Sequence, residues 1–338
     1  MKKSTVKMIF ASIAVVAIIG LSATMTMDKK GAEAKRIVLK NDGLYTISET
    51  LGEKKIINDS NIKIILGRQT GKILYGKGLV GDALPIQDNS TNIWIMDEDG
   101  TNQKQITTEA NVVYAVFAPN GQIFYTTKDQ DLFSVDLTTN SSPRKVQEKV
   151  LSPDISPDSN HVVYQKLNSE WKFGQYYDQA LGLTILDLQT GEEKRISTNW
   201  EDFNPLWLPN DKKILFFSRS PEGIASHFII NANGSNRKQL TNIGKKFVDQ
   251  TTVAIPGEKP IISANGKYIV YESDREIWVN EFTSDNNSLA SAKRAGYGRD
   301  PEWITNGETF TIISTPRDNS SNSAVMEFDV RGNYRKTL

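Results

Sequence analysis

The sequence predicts an all-β fold in which four-stranded antiparallel units repeat in tandem. Two hairpin patterns that recur along the chain carry this prediction. The first is a strand, a tight turn and a second strand, and it is clearest in 93–107, IWIMDEDGTNQKQIT. It returns in 228–241, FIINANGSNRKQLT, and in 326–338, MEFDVRGNYRKTL. Its turns are rich in Asp, Asn and Gly, which suit a chain reversal because Asx side chains cap their own backbone and Gly accepts positive φ.

A second hairpin pattern precedes copies of the first. It begins with Pro, continues through an apolar residue to an Asn or Asp turn, and ends in an apolar run. The clearest copies are 153–164 (PDISPDSNHVVY), 205–217 (PLWLPNDKKILFF), 260–271 (PIISANGKYIVY) and 301–313 (PEWITNGETFTII). Pro and Asn or Asp with Gly at fixed offsets between apolar strands indicate hairpins.

The spacing of the copies gives the number of units. Copies of the first hairpin end at Ile57, Ile106, Val146, Ile196, Leu240 and Leu338, and a degenerate copy fills the long last gap at 277–292. Four-stranded units of about 47 residues in tandem are typical of a β-propeller, here with seven blades in a single domain over 35–338. The first blade would lack its innermost strand. A six-bladed ring, with Arg36–Asn58 as an extra hairpin, is the alternative.

These residues resemble the WD40-like (PD40-type) repeats of the TolB propeller group. The resemblance rests on the SPD and PNG turns, on the Pro-x-Trp or Pro-x-Ile before them, and on the IWIMDEDG-type hairpins. It covers nearly all of 36–338 and implies the propeller fold. TolB itself has a separate α/β domain before its propeller, for which this chain has no room. The resemblance therefore does not imply that this protein takes part in the envelope complex that TolB serves.

Residues 1–34 are predicted to be an export segment. Lys2, Lys3 and Lys7 precede an uncharged apolar run, 8–27, which is long enough to span a bilayer as a helix. A small-x-small pattern ending at Ala34 offers a cleavage site, so the segment is either a cleaved signal peptide or a retained membrane anchor. The early lysines place the N-terminus inside and the body outside the cytoplasmic membrane.

Charge and cysteine content exclude several classes of function. Residues 1–34 carry five of the 40 Lys and Arg and two of the 40 Asp and Glu, which leaves the body at 35 against 38, a net charge of −3. A nucleic-acid partner is therefore not expected, because it would need a concentrated basic patch. There is no cysteine, so a zinc–thiolate site and a thiol nucleophile are impossible.

The motifs that could carry chemistry are few. Asp97-Glu98-Asp99-Gly100 starts like a calcium loop, but Gln-Lys-Gln follows at 103–105 where further ligands are needed, so turn chemistry is the better interpretation. His161 and His227 could be metal ligands or general bases. The preferred interpretation is that both are ordinary side chains at strand ends on the surface. No Gly-x-Ser-x-Gly elbow is present. The sequence predicts no catalytic residue, no metal site and no cofactor.

Loop lengths indicate where binding takes place. With the strands of a blade named a to d from the channel outwards, the short stereotyped turns are a–b and c–d connections. The long segments are b–c or d–a connections, so they meet at one rim of the ring. They are 77–92, 166–182, 219–226, 315–323, 242–259 and 197–204. Long loops on a rigid scaffold are common binding sites.

Aromatic residues single out part of this rim. Lys166–Gly182 and two d–a connections contain the candidate partner-binding residues, which are Trp171, Phe173, Tyr176, Tyr177, Trp200, Glu201, Tyr297 and Arg299. Exposed aromatic rings among polar residues suit a protein interface or sugar stacking. The alternative is that they cover a blade edge or extend strands b and c.

Three functions remain open at this point. The favoured hypothesis is an exported, membrane-associated and monomeric propeller that binds a protein or cell-envelope partner through its loop-rich face. The alternative is an enzyme that acts on a glycan or peptide in the central pocket. The third is a sensor or accessory subunit that acts through its N-terminal anchor.

Overall fold

The computed structural model describes residues 35–50, 52–69, 71–78, 91–109, 111–139, 142–172, 175–210, 212–219, 225–241, 260–273, 275–282, 289–304, 307–314 and 324–338. Within these ranges the chain forms strands and turns only. No helix there is long and apolar enough to cross a membrane. The predicted N-terminal segment, 1–34, lies outside the described residues.

Seven antiparallel sheets, each built from consecutive strands, form the blades. Blade 1 has three strands and blades 2 to 7 have four. The strands of the first three blades are β1 (Lys35–Lys40), β2 (Gly43–Ser48), β3 (Gly52–Asn58), β4 (Ile62–Gln69), β5 (Lys72–Lys77), β6 (Asn92–Asp97), β7 (Lys104–Gln105), β8 (Val112–Phe117), β9 (Ile123–Thr127), β10 (Leu132–Val135) and β11 (Arg144–Gln147).

Blades 4 to 7 follow the same order, from an inner first strand to an outer fourth strand. Their strands are β12 (Val150–Ile155), β13 (His161–Lys172), β14 (Gln175–Asp187), β15 (Glu193–Arg195), β16 (Phe203–Trp207), β17 (Lys213–Arg219), β18 (Ala225–Asn231), β19 (Lys238–Gln239), β20 (Ile261–Ile262), β21 (Tyr268–Ser273), β22 (Glu276–Glu281), β23 (Lys293–Tyr297), β24 (Arg299–Trp303), β25 (Thr309–Ser314), β26 (Ala324–Asp329) and β27 (Tyr334–Thr337).

The hydrophobic core lies between the blades and closes the ring. Each of seven apolar clusters joins two neighbouring blades. One contains Leu44 of blade 1 and Ile73 of blade 2, and another contains Val38 of blade 1 with Ile313 and Val325 of blade 7. Blade 1 therefore occupies a full place in the ring. The seven-bladed prediction is confirmed, and the six-bladed alternative is wrong.

Blade 1 lacks its inner strand, as the sequence register predicts, and charged side chains connect it to the blades on either side. Arg36 of β1 is only 3% exposed. Its Nη1 donates to the backbone oxygen of Thr311 at 3.1 Å and to the Thr311 hydroxyl at 2.6 Å, and its Nη2 donates to the backbone oxygen of Asp300. Arg68 of β4 pairs with Glu302 at 3.0 Å and with Glu98 at 2.9 Å. We call Arg36, Arg68, Glu98 and Glu302 the seam cluster, because together they connect blades 7, 1 and 2.

The Asp97 segment is a turn. The amide of Gly100 donates to the Asp97 backbone oxygen at 2.9 Å, and the side chain of Asn102 donates to the Asp97 carboxylate at 2.6 Å. Gly100 and Asn102 have φ of 90° and 53°, and their equivalents Gly234 and Asn236 have 90° and 56°. In the described parts of the chain, no three His, Asp or Glu side chains come together in a group that could hold a metal ion.

Gly100 offers a test of how tightly these turns pack on the preceding blade. A Cβ at Gly100 would lie 2.3 Å from the backbone oxygen of Ile56 in blade 1, whereas a Cβ at Gly121, with φ of 87°, would meet nothing within 4 Å. Gly121→Ala should lower the free energy of unfolding by roughly 1 kcal/mol through its positive φ alone. Gly100→Ala should cost clearly more, about 3 kcal/mol, measured by urea unfolding. Equal losses would contradict this contact.

Candidate functional site

The strand order separates the two rims of the ring. Successive strands are antiparallel within every blade. All b–c and d–a connections therefore lie at one rim, which we call the loop rim, and all a–b and c–d connections lie at the other, the turn rim. Described parts of the loop rim include 41–42, 59–61, 128–131, 148–149, 198–202 and 298. Most of 77–92, 219–226, 242–259 and 315–323 lies outside the described residues.

The predicted irregular loop 166–182 is a hairpin instead. Strands β13 and β14 continue through it and pair to Trp171 opposite Tyr176 and Lys172 opposite Gln175. The prediction of an irregular loop was therefore wrong, and the alternative that this segment extends strands b and c is confirmed for the backbone, because alternating polar and aromatic residues favour strands. Only the backbone is described here, so the structure does not place the side chains of Trp171, Tyr176 and Tyr177. Phe173 lies outside the described residues.

Trp200 is the best-defined candidate on the loop rim. Its side chain is 59% exposed, on the connection between blades 4 and 5. The side-chain amide of Gln165 donates to the Trp200 backbone oxygen at 3.1 Å. The Asn199 side chain donates to Asp202 at 3.2 Å, and the Ser197 hydroxyl also donates to Asp202. Three side-chain hydrogen bonds therefore fix the connection that carries the exposed Trp200 ring.

An ion pair with one buried partner anchors the same connection. Asp202 is fully buried, and its carboxylate accepts a 2.8 Å bond from Arg237 of blade 5. Arg237 also donates to the Ser218 hydroxyl at 2.8 Å, and its guanidinium lies 4.2 Å from the centre of the Phe228 ring. Neither Asp202 nor Arg237 was predicted from the sequence. The Asn and Asp residues that flank Trp200 were the available signal.

Glu201 belongs to the same connection but is less exposed to solvent than Trp200. It is half-buried, and its backbone amide donates to the Asn199 side chain at 3.2 Å. The exposed part of this candidate group is therefore mainly the Trp200 ring.

Tyr297 and Arg299 lie at a different junction, between blades 6 and 7. The Tyr297 ring is half-buried beneath the Arg294 guanidinium, 4.5 Å from its centre. Arg299 is exposed and donates to the Asp300 carboxylate at 3.0 Å. Burial, and then the nearby Asp300 carboxylate, raise the pKa of Glu272 in blade 6. Of the predicted residues whose side chains the structure describes, Trp200 and Glu201 therefore form one group on the loop rim, and Tyr297 and Arg299 form another.

The two histidines occupy different environments. His161, at the start of β13, is partly exposed, with ring nitrogens 3.6 Å from Asp158 and 3.8 Å from Asp187. His227 contradicts the surface prediction, since it is fully buried between the rings of Phe217 and Tyr271, at 4.4 and 4.9 Å. Burial lowers its pKa to about 3. A neutral buried imidazole is not a surface acid–base group.

Comparisons with known proteins agree on the fold. No protein-family model matches the chain, and no curated protein sequence matches it. The chain resembles an oligogalacturonate lyase in complex with manganese, with a TM-score of 0.57 and 16% identity over 78% of this chain and 73% of that one. An oligogalacturonate lyase from Vibrio parahaemolyticus gives 0.59 and 11% over 90% and 84%. TolB from Acinetobacter baumannii gives 0.51 and 13% over 89% and 78%.

The chain is a seven-bladed β-propeller. At these identities the likeness shows the fold alone. The propeller shares that fold both with enzymes and with TolB, so its function has to be argued from its own surface.

Proposed function

We propose that the propeller is a binding scaffold, exported and held at the membrane, that presents its loop rim to a protein or cell-envelope partner. The observation that carries this proposal is the exposed Trp200 ring on a connection fixed by the ion pair between the buried Asp202 carboxylate and the partly exposed Arg237 side chain. A large apolar ring in water has no stabilising role of its own. Its fixed backbone suits an anchor that inserts into a partner.

Preorganisation of the Trp200 connection favours binding. Binding costs free energy when a loop has to become ordered, so a loop that is already rigid retains more of its contact energy. Tryptophan is among the residues that most often dominate binding energy at protein interfaces. The extended hairpin of β13 and β14 comes from the blade that precedes the Trp200 connection, and it carries further aromatic residues in its sequence.

The location outside the cytoplasmic membrane rests on the sequence. The apolar run 8–27 behind Lys2, Lys3 and Lys7 supports export, and without cleavage near Ala34 it supports an anchor. We propose a monomer, because the ring closes within one chain by contacts between blades 7 and 1.

One observation favours the competing enzyme function on a glycan or peptide. Glu272 is a carboxyl group with a raised pKa near a second carboxylate, Asp300. Such pairs can supply general acid and base groups. The binding proposal is preferred because Asp300 is already paired with Arg299.

The test compares two exposed aromatic residues on opposite rims. Tyr334 on the turn rim is 55% exposed, which makes it a matched control for Trp200. A photo-crosslinking amino acid is placed at position 200 of the full chain in its native cells, and we expect it to form one discrete adduct with a partner. The same amino acid at position 334 should form no adduct. Trp200→Ala should then weaken binding of the adduct partner by about thirtyfold, corresponding to about 2 kcal/mol.

Tyr334→Ala should change that affinity by less than about twofold, and both variants should keep the unfolding midpoint of the parent protein. Adducts at position 334 alone, or an unchanged affinity in Trp200→Ala, would contradict the proposal.

A further inference from the structure

The hairpin of β13 and β14 is much longer than the equivalent hairpins of the other blades. Its strands have 12 and 13 residues, whereas the second and third strands elsewhere have 4 to 7. Strand β12 pairs with this hairpin only as far as Lys166, and the chain after β15 makes its last bonds to it at Leu183. Beyond these points 167–172 and 175–181 project from the loop rim as a two-stranded ribbon about 20 Å long, which we call the arm.

One hydrogen bond fixes which backbone groups of the arm point outwards. The amide of Leu167 donates to the backbone oxygen of Lys149 at 3.0 Å, on the side away from β14. Opposite residues of an antiparallel pair either bond each other or both face away, and the two kinds alternate. Leu167 lies opposite Ala180, so Ala180, Asp178 and Tyr176 all direct their N–H and C=O groups to the outer edge of β14. We call these three residues the open edge.

The open edge is suited to pairing with another strand. In the parts of the chain that the structure describes, no strand lies beside it. Strand β15 stops short of it, since the Arg195 guanidinium donates to the backbone oxygen of Leu181 at the foot of the arm. The segment 175–181, QYYDQAL, contains neither the proline nor the lysine that commonly keep edge strands from pairing. An added strand would therefore continue the line of β15.

The Trp200 connection crosses the foot of the arm. A Cβ at Gly182 of β14 would lie 2.4 Å from the backbone oxygen of Ser197 and 3.1 Å from that of Asn199. On β13, the Gln165 side chain bonds the Trp200 backbone oxygen at 3.1 Å. A strand added at the open edge therefore runs towards the connection that carries the exposed Trp200 ring.

The charges of the arm disfavour a second copy of this chain as the added strand. Two copies paired symmetrically about the middle of the open edge would place Asp178 opposite its own copy. On the other edge, between Ser169 and Trp171, the same symmetry would place Glu170 opposite itself. Like charges directly opposite each other destabilise a pair of strands, whereas a Lys or Arg opposite Asp178 would stabilise it.

We propose that the open edge binds an extended segment of a partner protein as an added β-strand, with a Lys or Arg of that segment opposite Asp178. This inference rests on the proposed function of the loop rim and specifies the chemistry of its partner. Backbone hydrogen bonds supply affinity in strand addition, and side chains of alternate residues supply the preference for a sequence. The partner segment is therefore extended, rich in β-branched residues and basic.

Amide hydrogen exchange of the free protein tests the open edge directly. The amides of Tyr176, Asp178 and Ala180 should exchange at least about tenfold faster than those of Tyr177 and Gln179, which bond across the hairpin. Slow exchange at the open edge in dilute protein means that another part of the same chain covers it. Slow exchange only in concentrated protein means that a second copy does. Either result overturns the proposal.

A synthetic peptide then serves as the probe. It has nine residues of alternating threonine and valine, with a lysine at the centre and an arginine at each end. At a concentration of about 1 mM, within the range of weak specific binding, it should slow exchange at the open edge by at least about fivefold. The same peptide with glutamate at its centre should bind about threefold more weakly, because an opposite-charge pair across strands is replaced by a like-charge pair.

Proline substitutions in the full chain separate the two edges of the arm. Asp178→Pro removes one outward amide and no bond within the hairpin, so it should abolish the protection by the peptide. Ser169 lies directly opposite and faces the other edge, which makes Ser169→Pro the matched control that should bind as the parent does. Slow exchange at Tyr177 and Gln179 shows that the hairpin remains intact. Asp178→Lys, which keeps the amide, should reverse the preference between the two peptides even where proline opens the hairpin.

The remaining outcomes separate this inference from the proposed function. No protection by the peptide, or equal losses in Asp178→Pro and Ser169→Pro, overturns strand addition and leaves the adduct at position 200 as evidence for partner binding. An unreversed preference in Asp178→Lys overturns the role of Asp178. Protection by the peptide in a protein that forms no adduct at position 200 overturns the proposed function of the Trp200 connection alone.

Discussion

Replacing Arg36 with methionine is expected to lower the free energy of unfolding by about 3 to 4 kcal/mol. The side chain is buried and bonds two backbone oxygens of blade 7, those of Asp300 and Thr311. Methionine would leave both oxygens without this donor and would leave Glu302 with less positive charge nearby. Removing one partner from a buried charged network usually costs this much, whereas a surface change costs at most about 0.5 kcal/mol. Urea unfolding followed by tryptophan fluorescence measures the loss.

Lys54→Met, on the exposed outer strand of the same blade, is the matched control and should leave the midpoint nearly unchanged. Arg36→Lys should fall between the two, because one ammonium cannot reach both carbonyl groups in the planar arrangement of a guanidinium. A loss of less than 1 kcal/mol in Arg36→Met would show that the seam cluster does not hold blade 1 in the ring.

Replacing His227 with leucine is expected to remove most of the acid sensitivity of the blade 5–6 interface. The folded protein holds His227 at a pKa of about 3, below the ordinary value of 6.5. The unfolded chain therefore binds this proton first as pH falls. The stabilisation is complete above about pH 6.5, and it is lost as pH falls towards 3. Between pH 8 and pH 5 the loss should be about 2 kcal/mol.

The neighbours of His227 do not titrate in this range. Tyr271 stays neutral because burial raises its pKa to about 12, while Phe217 and Thr241 carry no charge. Unfolding free energies of the parent and of His227→Leu should be measured at pH 8 and pH 5. The control is Val325→Leu, at the equivalent buried aliphatic position of blade 7, which should keep the pH dependence of the parent. An equal pH dependence in all three proteins would contradict the assignment.

Leucine is the matched replacement because the blades repeat. In the register of the strand–turn–strand pattern, His227 takes the place of Ile93, and the equivalent residues elsewhere are Leu44, Leu132, Leu183, Ile277 and Val325. All of them are buried and aliphatic. Blade 5 alone has a titratable group there, so the repeat itself marks this histidine as an exception.

The fold could be predicted from the sequence because its signals are local. Turn residues such as Gly100 and Asn102 fix the reversal within a few positions, and their copies fix the length of the repeat. The register also predicted the missing inner strand of blade 1, since no Pro-containing hairpin precedes Ile57. These features need no knowledge of distant contacts.

The candidate site could be predicted only in part because its support is non-local. Asp202 and Arg237 are 35 positions apart and meet only when blade 5 has folded. The burial of His227 depends on Tyr271 in the next blade, so the position of the histidine at a strand end was misleading.

The way the ring closes has a mechanical consequence. In the described residues no sheet combines strands from both ends of the chain, and β1 pairs only with β2. Tension applied at Lys35 acts first on the Lys35–Ser48 end of that pair, so its hydrogen bonds would open one after another rather than shear together. Under load from the N-terminal side, blade 1 is therefore the first part of the propeller to give way, and the six complete blades behind it would open later.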